Sequence, residues 1–296
     1  MSEIWKSAEG ERAVKERTRA FLARWPVPSR QLHVPTREGE TFVLSCGPEA
    51  APPLVLLHGS GANAVTWMGD APVFATQFRV HVVDMIGEPG LSAPSRPPLD
   101  SDRHALWLDD VLDALSIARA AFVGISLGGW LALDYAIRRP ARVSQLALLC
   151  PGGVGRQRPS FMFKVMPLRL LGRWGRRKAM AIALGTTAEP STPIERAFAD
   201  YLGLIHASFN ARRDRLPVFS DPALRGLRLP LFAVVGGRDA ILDSADTKRR
   251  LEANAPRATV DFLPDSGHLL RGQTKRVLEA LCAPSVDSGR PGSTME

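Results

Sequence analysis

The sequence predicts an α/β protein built on a doubly wound, mostly parallel twisted sheet. Three observations carry that expectation. Short unbroken apolar runs recur at Leu54–Leu57, Val80–Val83, Phe122–Ile125 and Leu146–Leu149, with further strands expected at Leu231–Val235 and Thr259–Leu263. Runs without polar alternation fit strands covered on both faces. Helical patterns lie between them, and β–α alternation of this kind builds a parallel sheet with helices on either side. The length of 296 residues accommodates one large domain with an inserted subdomain, or two small domains.

Taken in order, residues 1–28 read as an N-terminal helix with Val14, Phe21, Leu22 and Trp25 turned inward, stopped by Pro26 and Pro28. The core begins with residues 29–150. Its first two strands, Gln31–Pro35 and Thr41–Cys46, flank the turn-like Arg37-Glu38-Gly39-Glu40 and suit an antiparallel hairpin. Ser101 is positioned to cap a helix over Asp102–Leu115, and a helix over Leu127–Ile137 ends before Arg138-Arg139-Pro140. Between 151 and 228 the alternation stops. That segment is helical in pattern and rich in Phe, Met, Leu and Arg, and it leaves the sheet between two core strands, so a helical lid over the strand ends is expected. Residues 229–283 resume the core, with helices near 244–253 and 272–282. The Pro/Ser/Gly-rich residues 284–296 read as a disordered tail.

Composition narrows the function classes. A charged content of 23% and a hydrophobic content of 45% are those of an ordinary globular chain. No apolar run reaches the ~20 residues of a membrane-spanning helix, and the N-terminus mixes acids and bases without an apolar core, unlike a secretory signal. Cys46, Cys150 and Cys282 form neither a disulfide framework nor a metal-ligand spacing. A cytoplasmic location and no metal are the resulting expectations. The net charge is +8, and residues 151–188 alone hold eight basic residues and no acid. No nucleic-acid recognition motif accompanies them, so a solvated basic face is expected and no nucleic-acid partner. The composition does not address the oligomeric state.

Four loops, each following an expected strand, hold the chemistry-bearing residues. Gly124-Ile125-Ser126-Leu127-Gly128 is a G-x-S-x-G pattern at a strand-to-helix junction, which presents a serine hydroxyl on a sharp turn. His58-Gly59-Ser60-Gly61 follows the strand at 54–57. The amides of Ser60 and Leu127 would form a two-donor oxyanion hole there. It lacks the third glycine of a dinucleotide-binding fingerprint, and His58 reads as a loop organiser. Asp84 opens Asp84-Met85-Ile86-Gly87-Glu88-Pro89-Gly90-Leu91-Ser92 and reads as structural; Glu88 and Ser92 are placed at the pocket border. Asp239, in Gly236-Gly237-Arg238-Asp239, is the carboxylate expected to orient a histidine, with Asp243 as the local competitor. His268, in Asp265-Ser266-Gly267-His268, is the expected base. The chain order Ser126, Asp239, His268 matches one of the known serine-triad orders. No acid stands in Cys150-Pro151-Gly152-Gly153-Val154, the alternative strand end.

With these residues in place, the chain resembles the α/β-hydrolase superfamily over most of residues 20–283. Leu56-Leu57-His58-Gly59 with Trp67, the Asp84–Ser92 segment, Trp107-Leu108-Asp109-Asp110-Val111-Leu112 and Gly124–Trp130 are similar to bacterial carboxylesterases of the naproxen-esterase-like group. The resemblance implies serine hydrolysis of an ester and no cofactor; the apolar side chains of the insertion add the expectation of a small-molecule ester or acyl substrate with an apolar group. Branches of the superfamily with an aspartate nucleophile do not fit Ser126. Gly59, Phe161, Met162, Met166 and Leu269 are the candidate pocket residues, although the aromatic and Met side chains of the insertion would equally serve to dock it. Carbon–carbon bond hydrolysis, thioester hydrolysis and acyl transfer with the same triad stay open, as does, remotely, a non-enzymatic binding protein on this fold.

Overall fold

The structure, a computed structural model, describes residues 4–158, 166–172, 175, 178, 179, 181, 182, 185 and 191–283. The elements are α1 (Ala8–Leu22), β1 (Ser29–Thr36), β2 (Gly39–Cys46), β3 (Pro53–Leu57), α2 (Ala71–Phe74), β4 (Arg79–Val83), α3 (Arg103–Ala114), β5 (Ala120–Ile125), α4 (Leu127–Arg138) and β6 (Val143–Leu149). After the insertion come α5 (Pro193–Ser208), α6 (Asp221–Arg225), β7 (Leu231–Gly236), α7 (Ser244–Asn254), β8 (Ala258–Leu263) and α8 (Thr274–Cys282).

One eight-stranded sheet runs β1-β2-β4-β3-β5-β6-β7-β8. The expected hairpin pairs β1 with β2, and β2 pairs antiparallel with β4. Every neighbouring pair from β4 to β8 is parallel. The unbroken apolar runs have the physical origin expected of them, because alternate residues of one strand enter different hydrophobic clusters. Val55 and Leu57 pack with Trp107, Val111 and Leu133 of α3 and α4 and with Leu251 of α7. Leu54 and Leu56 pack with Val14 of α1, Phe74 of α2, Ile205 of α5 and Val277 of α8. Fully burying such an aliphatic side chain contributes about 1.5–3 kcal/mol, so both faces stabilise the sheet.

Several boundaries differ from the sequence expectation. The N-terminal helix starts only at Ala8, because Ser7 caps it by accepting from the Gly10 amide at 3.0 Å. The residues ahead of it pair with the end of α5 instead. Lys6 N donates to Ser208 O and Asn210 N to Ile4 O, each at 2.9 Å, and Trp5 meets Phe209 edge-on. Asp102, not Ser101, occupies the cap position of α3; the Ser101 hydroxyl donates to Pro98 O at 2.7 Å. Asp243 caps α7, its side chain accepting from the Asp246 amide.

The described ends of the 151–228 insertion pack on the core. Val154, Leu224 and Leu227 are buried in the α3–α4 cluster, and Gln157 bridges to Leu242. Between them, α5 starts at a capping box made by Thr192 and Glu195 and packs along α1.

Candidate active site

The centre of the site is the junction of β5 and α4. Ser126 occupies it with φ 53° and ψ −107°, a left-handed region that costs a non-glycine residue free energy. The surrounding backbone imposes this conformation. Ser126 N donates to Leu149 O of β6 at 2.9 Å, and Ser126 O accepts from Trp130 N at 2.9 Å and Gly152 N at 3.0 Å. The two flanking glycines are required by close approach. A Cβ on Gly124 would lie 2.4 Å from the Gly128 carbonyl oxygen, and one on Gly128 would lie 2.3 Å from the Leu57 carbonyl oxygen. The backbone thus clasps around a serine whose hydroxyl faces out of the turn.

His268 meets that hydroxyl, and Asp239 stands behind the imidazole. His268 Nε2 lies 3.0 Å from Ser126 Oγ, and His268 Nδ1 lies 2.7 Å from Asp239 Oδ2. A carboxylate only accepts, so Nδ1 carries the proton and Nε2 is left to accept from the serine hydroxyl. Asp239 is fixed independently, since Oδ1 accepts from the amides of Ile241 at 2.7 Å and Leu242 at 2.9 Å. Burial pushes the Asp239 carboxyl up, but the His268 hydrogen bond and charge and the two amides outweigh it, leaving it below its usual value. Asp239 is therefore held as an anion behind the imidazole.

The other acids considered from sequence stand elsewhere. Asp243 caps α7. Asp265 pairs with Arg238 at 2.5 Å on the exposed surface. Asp84 is fully buried and accepts from the amides of Ala64 at 2.5 Å and Leu91 at 2.8 Å. Burial raises its carboxyl to about 6 against the opposing pull of those amides. His58 accepts from Met85 N at 2.9 Å through Nε2, and burial lowers it to about 4. Both residues organise loops, as their positions suggested.

The residues assigned to the oxyanion hole and pocket sit as follows. Leu127 is the first residue of α4, where backbone amides lack an intrahelical acceptor. Ser60 is exposed at the tip of the loop after β3. Gly59 lies beside Ser126; its Cβ position is 3.8 Å from the serine Cβ. Leu269 is half-buried next to His268. Met166 is 58% exposed, so it stands largely in solvent and not in an enclosed pocket. Phe161 and Met162 lie outside the described residues.

Two residues gained partners that the sequence did not disclose. Cys150, at φ 43°, places its thiol against the Asp239 carboxylate, and burial together with that neighbouring charge keeps it protonated. Cys150, Asp239 and His268 are also the one cluster of metal-ligand type among the described residues, but the Asp239 and His268 atoms are engaged with each other. The positive φ follows from the strand end: Cys150 N is still in the ladder, donating to Val234 O, before the chain turns away. Glu88 sits buried beneath the loop after β3 and accepts from the Gly61 amide at 2.6 Å. Ser92 locks that same region, donating to Asp84 O and accepting from Phe42 N.

Known proteins share this arrangement of chain. The alpha/beta hydrolase family matches residues 54–280. An uncharacterized carboxylesterase, nap, of Bacillus subtilis is 29% identical over 271 residues, covering 84% of each chain. The Bacillus subtilis carboxylesterase YbfK is 27% identical over 269 residues, 88% of this chain and 90% of that one. Among solved structures, the naproxen esterase (carboxylesterase NP) of Bacillus subtilis superposes with a TM-score of 0.79 at 25% identity, covering 93% of this chain and 98% of the other. The eight-stranded sheet is that of these hydrolases, and the chain belongs to the alpha/beta hydrolase family.

Proposed function

We propose that the protein is a serine hydrolase acting on a carboxylic ester through an acyl-enzyme. The hydrogen-bonded series Ser126 Oγ–His268 Nε2 and His268 Nδ1–Asp239 Oδ2, set at a strained turn, carries this reading. In the first half-reaction Ser126 Oγ attacks the ester carbonyl carbon while His268 Nε2 takes the hydroxyl proton. Asp239 holds the imidazole tautomer and stabilises the imidazolium. The oxyanion receives the amides of Ser60 and Leu127, where losing one donor typically costs ~10²–10³ in turnover. The proton on Nε2 then passes to the departing alkoxide, which leaves as the alcohol. Water attacks the acyl-enzyme with His268 again as base, releasing the acid and restoring Ser126. Side chains, backbone amides and water suffice for every step.

The relatives named carboxylesterases support ester chemistry over the other reactions open to such a site. A small-molecule ester is the substrate class. Turnover of p-nitrophenyl esters of increasing acyl length by wild type and Ser126→Ala is the test. Wild-type hydrolysis that disappears in Ser126→Ala is the expected result. Hydrolysis that persists in Ser126→Ala would overturn the assignment of the nucleophile.

A further inference from the structure

The loop that would carry the Ser60 amide is short and glycine-rich, Gly59-Ser60-Gly61, with Gly61 at φ 68°. Left alone, such a segment samples many backbone states, yet an oxyanion donor works only if its N–H is aimed in advance. The structure laces the loop to the turn after β4 at four places. Met85 N donates to His58 Nε2 at 2.9 Å on one side of Ser60. On the other side, Gly61 N donates to Glu88 Oε2 at 2.6 Å, Asn63 Nδ2 to Pro89 O at 2.8 Å and Ala64 N to Asp84 Oδ1 at 2.5 Å. The Glu88 bond is the one nearest Ser60 on its C-terminal side, one residue away.

We infer that Glu88 is a positioning residue that fixes the oxyanion loop, holding the Ser60 amide in its reactive direction by accepting from the Gly61 amide next to it. This rests on the serine-hydrolase reading above. Three further observations support it. The side chain is only 3% exposed, so the bond to Gly61 has little competition from solvent. The Ser60 hydroxyl is near enough to favour the charged form of the same carboxyl, a smaller effect than that of the Gly61 amide. Glu88 also lines, with Leu127 and Trp130, a narrow internal cleft, so it shares a wall with Leu127, whose amide would be the second oxyanion donor.

A carboxylate suits this position chemically. Its Oε2 accepts from the Gly61 amide, and it brings no N–H that would need a buried partner. Arg96 and Arg212 approach from the neighbouring segments and offset the buried charge. Arg96 Nε itself donates to Gly87 O at 3.0 Å, and Arg212 donates to Pro97 O at 2.9 Å and pairs with Asp214 at 3.6 Å. The cations are thus anchored around Glu88 by other groups.

The test compares Glu88→Ala and Glu88→Gln with wild type on an ester that wild type hydrolyses, in mildly alkaline buffer. Glu88→Ala is expected to lower kcat on the order of 10- to 100-fold with KM nearly unchanged, less than the ~10²–10³ of losing a donor outright. Glu88→Gln, which keeps an acceptor for Gly61 but loses one oxygen, is expected to recover part of that loss. Affinity for a trifluoromethyl ketone, which forms a tetrahedral adduct carrying an oxyanion, is expected to fall by the same factor as kcat/KM. A folded Glu88→Ala with wild-type kcat, or a loss confined to KM, overturns the inference. If Glu88→Ala does not fold, Glu88→Gln decides it: wild-type kcat and wild-type trifluoromethyl ketone affinity together overturn it. Failure of the serine-hydrolase reading looks different, since wild type itself would then neither hydrolyse esters nor bind the ketone, and both would fall together.

Discussion

At the scale of single residues, the site depends on where charge is held. Asp239 is anionic because two amides and an imidazole outweigh its burial. Asp239→Asn keeps the shape but removes the preference for a proton on Nδ1 of His268. A fall in kcat of about 10⁴-fold is expected from such a tautomer error, measured as ester turnover. Glu88 shows the opposite balance. Burial raises its carboxyl from 4.5 to about 7, against the Gly61 amide, the charges of Arg96 and Arg212 and the Ser60 hydroxyl. Between about 4.5 and about 7 the folded protein keeps a proton that the unfolded chain releases. The associated stability is fully present below that window and is lost as pH rises through it. Glu88→Gln removes this dependence, so the Tm of wild type is expected to drop relative to Glu88→Gln as pH is raised across the window. A constant Tm difference would contradict it. Ser126, Asp239 and His268 were legible as residues because each follows an apolar run at a glycine-marked turn. Cys150 and Glu88 were not legible in their roles, because their partners, Asp239 and Gly61, come from loops distant in sequence.

At the scale of elements, the β5–α4 turn is the most constrained feature. A methyl on Gly124 or Gly128 would press on a backbone carbonyl, which has no rotamer with which to yield. Overpacking usually costs about 1–3 kcal/mol. Gly128→Ala is expected to lose at least that much in chemical denaturation and to lose reactivity at Ser126 with it. A second link runs from the N-terminal helix and α5 into the site. Tyr201 Oη on α5 lies 2.7 Å from Thr18 Oγ1 of α1 and accepts from Asn63 Nδ2 of the loop after β3 at 2.5 Å. All three side chains are buried. Tyr201→Phe removes one buried partner each from Thr18 Oγ1, which keeps Val14 O, and Asn63 Nδ2, which keeps Pro89 O, and a loss of about 1–3 kcal/mol is expected, read from the urea midpoint. Hydrophobic periodicity anticipated α1 but not where it begins. Ile4 and Trp5 read as helical by pattern, yet they are drawn off to pair with the end of α5, a segment some two hundred residues away. Strand order was equally hidden from local patterns, since pairing β3 between β4 and β5 is a property of the assembled sheet.

At the scale of the whole molecule, the parallel strands and their two covering layers of side chains place the carboxyl ends of β3, β5, β7 and β8 together, and those four ends supply Ser60, Ser126, Asp239 and His268. This convergence follows from the doubly wound topology. It explains why residues up to 142 positions apart form one hydrogen-bonded unit. The insertion between β6 and β7 was recognisable because the β–α alternation stops, and its ends rejoin the core through Val154, Leu224 and Gln157. No helix among the described residues is long and apolar enough to cross a membrane. The central claim is that Ser126 is the nucleophile of this assembly. Its most direct test is intact-protein mass spectrometry after treatment with a fluorophosphonate, followed by peptide mapping. One adduct per chain, mapped to Ser126 and absent from Ser126→Ala, is the predicted result; no adduct on the folded wild-type protein, or an adduct on another residue, would contradict it.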